Sequence, residues 1–122
     1  MRTLLDVINT DNEPNTLQDL IDKQKTKVYI SGKISDLPYR EAYADFERAE
    51  SIVSSMGNCV AVNPMKLEHM HDKNWESYMA DDIRELLKCH AIYLMRNWGE
   101  SRGARCEYAI AKELGMVIMF EK

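Results

Sequence analysis

Lys27-Val28-Tyr29-Ile30-Ser31-Gly32 is a β-branched and aromatic run that stops on a glycine. Val, Ile and Tyr fit a pleated, buried strand, and glycine lets the chain bend out of it. The period then changes. Ala42, Phe46, Ala49, Val53 and Met56 recur at helical spacing and form one apolar stripe. Gly57 follows as a helix stop. A second apolar run, Cys59-Val60-Ala61-Val62, ends at Asn63-Pro64, where the proline breaks a strand. Strand, helix and strand in that order are the unit of a parallel sheet.

The same alternation continues outward. A connection over residues 65–74 precedes Trp75, Met79, Ile83 and Leu86, which mark a second helix. Ala91-Ile92-Tyr93-Leu94-Met95 reads as a third strand, followed by a loop over residues 96–102. Ala104, Tyr108, Ala111 and Leu114 then lie in helical register, Gly115 ends that helix, and Met116-Val117-Ile118-Met119-Phe120 forms the last strand. The strands are continuous apolar runs, the mark of a parallel sheet covered on both faces. Right-handed crossovers predict an α/β, flavodoxin-like three-layer α/β/α domain with four strands in order 2-1-3-4. Its ligand site belongs at the carboxyl ends of the strands, where the first and third diverge.

Residues 1–26 read differently. Leu17, Leu20 and Ile21 recur at helical spacing behind Pro14, with Asn15 or Thr16 as N-cap. They predict an N-terminal helical extension, docked on the domain of residues 27–122 or on a second subunit. The 122 residues suit one domain. A net charge of −4 disfavours a nucleic-acid polymer as partner, although it leaves room for a local basic pocket. Cys59, Cys89 and Cys106 are odd in number and lack metal-ligand spacing, which suits reduced thiols. There is no signal-peptide pattern and no run of about 20 apolar residues. The expectation is a cytoplasmic protein that binds no membrane. His69 and His71 lack a third ligand, and His90 at a strand start reads as structural, so neither metal nor cofactor is expected.

Three segments meet at the switch point. They are the exit of the first strand (Ser31, Gly32, Lys33, Ser35), the loop carrying Trp98, and Ser101 to Glu107 at the start of the last helix. Gly32 and Gly103 allow close backbone approach. The hydroxyls of Ser31, Ser35 and Ser101, a helix N-terminus and the charge of Lys33, Arg102 or Arg105 suit a phosphate. Trp75 and Trp98 offer base stacking or ordinary packing. Glu107 admits two readings: an acid placed favourably near a helix N-terminus, or a carboxylate that attacks a sugar C1′ carbon. Asp81 and Asp82 likewise read as solvated acids or, at Asp82, as the general acid that protonates a departing base.

Tyr29-Ile30-Ser31-Gly32, the stretch Asp82-Ile83-Arg84-Glu85-Leu86-Leu87-Lys88-Cys89, and the Ser101-x-Gly-Ala-x-x-Glu107-x-x-x-Ala111 pattern resemble the nucleoside 2-deoxyribosyltransferase family and its 2′-deoxynucleoside 5′-phosphate N-hydrolase relatives. The resemblance spans residues 27–120 and is closest to short phage and bacterial members. It implies Glu107 as nucleophile, Asp82 as the group that contacts and protonates the base, and Tyr29 near the sugar. Ser101 and Gly103 would hold the 5′ end, in a pocket lined by Ser31, Gly32 and Lys33. It also implies homodimers or larger homo-oligomers with sites completed across subunits. Relatives often continue past the fourth strand, whereas this sequence stops at Lys122, and Lys33-Ile34-Ser35-Asp36 replaces the hydrolases' Arg- or Gly-rich turn. The expected activity is cleavage or exchange at the N-glycosidic bond of a (deoxy)nucleoside or its 5′-monophosphate, by a hydrolase (glycosidase) or a transferase. The alternatives are a non-catalytic nucleotide-binding module, which would keep the ligand intact, and an NAD-cleaving domain, which would release nicotinamide.

Overall fold

A computed structural model describes residues 17, 25–69 and 74–122. The helical extension expected over residues 1–26 and the position of His71 therefore lie almost wholly outside the described residues. Within the described part, the elements run β1 (Thr26–Ser31), α1 (Tyr39–Ser54), β2 (Cys59–Val62), α2 (Trp75–Leu86), β3 (Ala91–Leu94), α3 (Arg102–Glu113) and β4 (Val117–Phe120). Short 3-10 turns at Pro64–Lys66 and Trp98–Glu100 break the connections after β2 and β3.

The sheet is parallel with strand order β2-β1-β3-β4, as the apolar pattern predicts. Because strand side chains alternate, β1 and β3 feed two cores. Val28, Ile30, Ala91, Tyr93 and Met95 pack under Phe46, Ala49 and Val53 of α1. Tyr29, Ile92 and Leu94 pack with Leu86 of α2 and Ala111 of α3. This is the three-layer arrangement. Each core is closed by a helix stripe of the period read from the sequence.

Polar caps fix where the helices begin. The Asn74 side chain accepts from the Ser77 N–H, and Ser101 Oγ accepts from the Ala104 N–H. Each satisfies a donor that has no intrahelical partner. Asn63 does the same for the Met65 N–H at the turn that ends β2. His90 has the structural role expected of it, its Nδ1 accepting from the Lys27 N–H at 3.0 Å. The positive φ of Gly57 and of Gly115 turns the chain out of α1 and α3.

The apolar stripes are shorter than their sequence period suggests. Met56 and Leu114, expected on buried faces, are exposed because α1 and α3 end before them. The outermost strand β4 is also less covered than a continuous apolar run implies, with Val117 and Phe120 half exposed. The last helix begins at Arg102, two residues before its first apolar position Ala104, because Ser101 caps it.

Ile92 is fully buried on the face toward α2 and α3. Ile92→Ala should lower the unfolding free energy by about 2–5 kcal/mol, read as a shift of the urea midpoint at unchanged slope. A loss below about 1 kcal/mol would mean that this core is not closed as described.

Candidate active site

Tyr29 and Ser31 are two residues apart on β1 and therefore project to the same face. Glu107 lies in the second turn of α3, which packs on that face, and is 5% exposed. The Tyr29 hydroxyl donates to Glu107 Oε2 at 2.7 Å, and the Ser31 hydroxyl donates to Oε1 at 2.7 Å. Each carboxylate oxygen thus has its own donor, and the side chain is held in one orientation. Burial pushes the Glu107 carboxyl up to about 7, against the two hydrogen bonds, which favour its charged form. Burial and the nearby charges of Glu107 and Asp82 hold the Tyr29 phenol well above its ordinary value, so it stays a donor.

Asp82 comes from α2 and is buried. Its Oδ1 has no hydrogen-bond partner among the described residues. Burial first, then the charges of Glu107 and Asp81, push its carboxyl up to about 8. The two acids are therefore differentiated by their surroundings. Glu107 has two donors that stabilise its anion, and Asp82 has none and keeps its proton longer.

Asp81, its neighbour in sequence, faces elsewhere. It meets His69 Nδ1 at 2.8 Å and Arg84 at 3.3 Å. The His69 ring stands edge-on to Tyr78 with centroids 4.6 Å apart. Sequence reading did not pair His69 with Asp81, since twelve residues and a turn separate them. Among the described residues no group of three or more His, Cys, Asp or Glu is arranged to hold a metal ion.

Glu107 and Asp82 line one cavity of about 530 Å³. Tyr29, Gly32 and Ser35 form the β1 side of it, Met65, Leu67 and His69 come from the segment after β2, and Trp75, Tyr78 and Met79 from α2. Ser101, Gly103 and Ala104 close the α3 end. The contribution after β2 carried no sequence signal beyond its length. A smaller cavity of about 280 Å³ adjoins the first and is lined by Lys33, Asp36, Glu100, Arg102 and Arg105, together with Ser35, Trp75, Ser101 and Gly103.

Three expected site residues need correction. Ser31, expected to hold a phosphate, is 1% exposed and spends its hydroxyl on Glu107. Lys33, expected in the same pocket as the carboxylates, lines the adjoining cavity instead, its N–H fixed by Asn97 Oδ1 at 3.0 Å. Trp98, expected at the cleft, packs against Tyr108 and Phe120, with ring centroids 4.9 and 6.0 Å away. Gly32 and Gly103 do line the cavity, but neighbours as well as any ligand need their small size. A Cβ on Gly32 would lie 2.6 Å from Met95 Sδ, and one on Gly103 would lie 3.0 Å from Met79 Sδ.

A protein-family model described as a domain of unknown function, DUF4406, matches residues 26–120. No curated protein matches the chain in sequence. Among solved structures, a 2-deoxyribosyltransferase from Bacillus psychrosaccharolyticus is similar with a TM-score of 0.59 at 16% identity, over 77% of this chain and 70% of that one. A 2-deoxyribosyltransferase from Leishmania mexicana is similar with a TM-score of 0.57 at 20% identity, over 78% of this chain and 63% of that one. The chain thus spans less than two thirds of the Leishmania protein's length. The domain has a nucleoside 2-deoxyribosyltransferase-like fold. Among the described residues no helix is long and apolar enough to cross a membrane.

The raised carboxyls predict a pH dependence of stability. A group whose folded pKa lies above its unfolded value stabilises the fold fully below the unfolded value and loses that contribution as pH rises through the folded one. For Asp82 the window runs from its ordinary 3.8 to about 8, and for Glu107 from 4.5 to about 7. Asp82→Asn removes one titration. Relative to the wild type it should be more stable at pH 9 by about 1–3 kcal/mol, with the gap shrinking toward pH 5. Urea unfolding at both pH values measures this, and a gap that does not change with pH would contradict the assignment.

Proposed function

The chain belongs to the DUF4406 family, and from the site it carries we propose that it cleaves or exchanges the N-glycosidic bond of a (deoxy)nucleoside or its 5′-monophosphate, with Glu107 as nucleophile. The observation that carries this reading is the buried pair of unlike carboxyls. Glu107 is oriented by Tyr29 and Ser31, while Asp82 is unpartnered at Oδ1 and held protonated by its surroundings. The fold shared with the two deoxyribosyltransferases supports the same substrate class. A cavity of about 530 Å³ is of the size that encloses small ligands.

In the first step a Glu107 oxygen attacks C1′. The new C1′–O bond forms as the N-glycosidic bond breaks, and the released electron pair goes to the base nitrogen, which takes the Asp82 proton. The product is a glycosyl ester on Glu107 and a free base. In the second step water, or another base, attacks C1′ and breaks the ester. The Asp82 carboxylate takes the proton from that nucleophile, which resets both acids. Water makes the protein a hydrolase and a second base makes it a transferase. Ser31 and Tyr29 each donate to a separate oxygen, so each Glu107 oxygen keeps one lone pair open for attack. Ser101 and Gly103, at the α3 end of the cavity, hold the 5′ end of the sugar.

Incubation with the deoxynucleosides and their 5′-monophosphates, read by mass spectrometry, should release free base. Acid quenching should trap a sugar adduct on the peptide that carries Glu107. Glu107→Ala should lower turnover by at least about a thousandfold with an unchanged circular-dichroism spectrum. Turnover retained in that variant would place the nucleophile elsewhere. Saturable binding with no base released from any substrate would leave a nucleotide-binding module in place of an enzyme.

A further inference from the structure

The smaller cavity is not needed for the chemistry just described, yet it opens from the same wall. Ser35, Trp75, Ser101 and Gly103 line both spaces, so the two meet where the 5′ end of a bound nucleoside would lie. Beyond that junction stand three cations, Lys33, Arg102 and Arg105, which outnumber the carboxylates Asp36 and Glu100 on the same walls.

The two arginines are held in place. The Arg102 guanidinium stacks 4.3 Å from the Trp75 ring centre, and Arg105 Nη1 donates to the Gly99 carbonyl at 2.8 Å. Stacking uses the flat face of a guanidinium and leaves its in-plane N–H edge, the edge that matches a phosphate in a two-point contact. Arg105 spends one of its five donors on Gly99.

The space, about 280 Å³, has room for a terminal phosphoryl group, one phosphorus with three terminal oxygens, together with water. A monophosphate anchored at Ser101 and Gly103 would leave the cationic space largely to water, whereas a further phosphoryl group would occupy it.

Resting on the assignment of the larger cavity to a nucleoside, we propose that the smaller cavity is a subsite for a second phosphoryl group, which makes a nucleoside 5′-diphosphate the preferred ligand over the monophosphate. Lys33, Arg102 and Arg105 are the recognising residues.

Titration calorimetry on the full chain tests this with the deoxynucleosides, their 5′-monophosphates and their 5′-diphosphates. Each diphosphate should bind about tenfold tighter than its monophosphate, the scale of one or two charge-assisted hydrogen bonds. In Arg102→Glu/Arg105→Glu that ratio should fall to about one, whatever happens to the monophosphate itself. A wild-type ratio of one or less overturns the proposal, as does an undiminished ratio in the variant or a failure of all these compounds to bind. If the double variant does not fold, the wild-type ratio alone decides. Base release is scored separately. A tenfold ratio without base release would sink the catalytic reading and keep this subsite, and base release without any preference for the diphosphate would do the reverse.

Discussion

The hydrogen bonds of Tyr29 and Ser31 to Glu107 are the constraint around which the rest of the site is arranged. A carboxylate buried without donors is strongly destabilising. Here a central strand supplies two hydroxyls to one helix residue across the sheet–helix interface. That requires a serine and a tyrosine at alternate positions of β1, on the face that elsewhere packs against apolar side chains of α2 and α3. Two hydroxyls lower the cost without removing it, since the Glu107 carboxyl is still pushed up to about 7. Buried carboxyls whose pKa is raised in this way cluster at functional sites, although structural networks also shift them.

The architecture was legible because its signals are local and repeated. Each apolar run of β-branched residues, each helical stripe and each glycine stop states its element independently, and their alternation leaves few topologies. The site was legible to the extent that topology determines it. The carboxyl ends of β1 and β3 had to meet the start of α3, which brought Tyr29, Ser31, Ser101, Gly103 and Glu107 into one region. What the sequence could not state was direction. The Ser31 hydroxyl reads in the sequence as one of three that suit a phosphate, but strand alternation turns it inward onto Glu107. For Trp98 the sequence leaves base stacking and ordinary packing both open, and the 3-10 turn at Trp98–Glu100 aims it at Tyr108 and Phe120. The helix stripes at Met56 and Leu114 failed for a related reason, because a period carries no information about where a helix stops.

Asp81 and Asp82 show how a single residue step along a helix separates two environments. Successive helix residues point about 100° apart. One acid reaches His69 and Arg84, and the other is turned into the interior with an unpaired oxygen. The sequence already favours Asp82, which is flanked by the core positions Met79 and Ile83. The distinction comes from which of them shares a face with buried Leu86, four residues after Asp82.

The glycine of the Ser-x-Gly pattern lies where the helices carrying this pair meet. Gly103 lies against Met79, where an added Cβ would come within 3.0 Å of the sulfur. Met79 precedes Asp82 by one turn of α2, and Gly103 precedes Glu107 by one turn of α3. The contact that brings the two helices close therefore sits one turn before the two carboxyls on both helices at once. A side chain at position 103 would press on that sulfur, and the flexible Met79 side chain would have to give by a few tenths of an ångström. Glycine lets the two helices meet without that adjustment, one turn before the buried acids, where burial and the Glu107 charge both raise the Asp82 carboxyl.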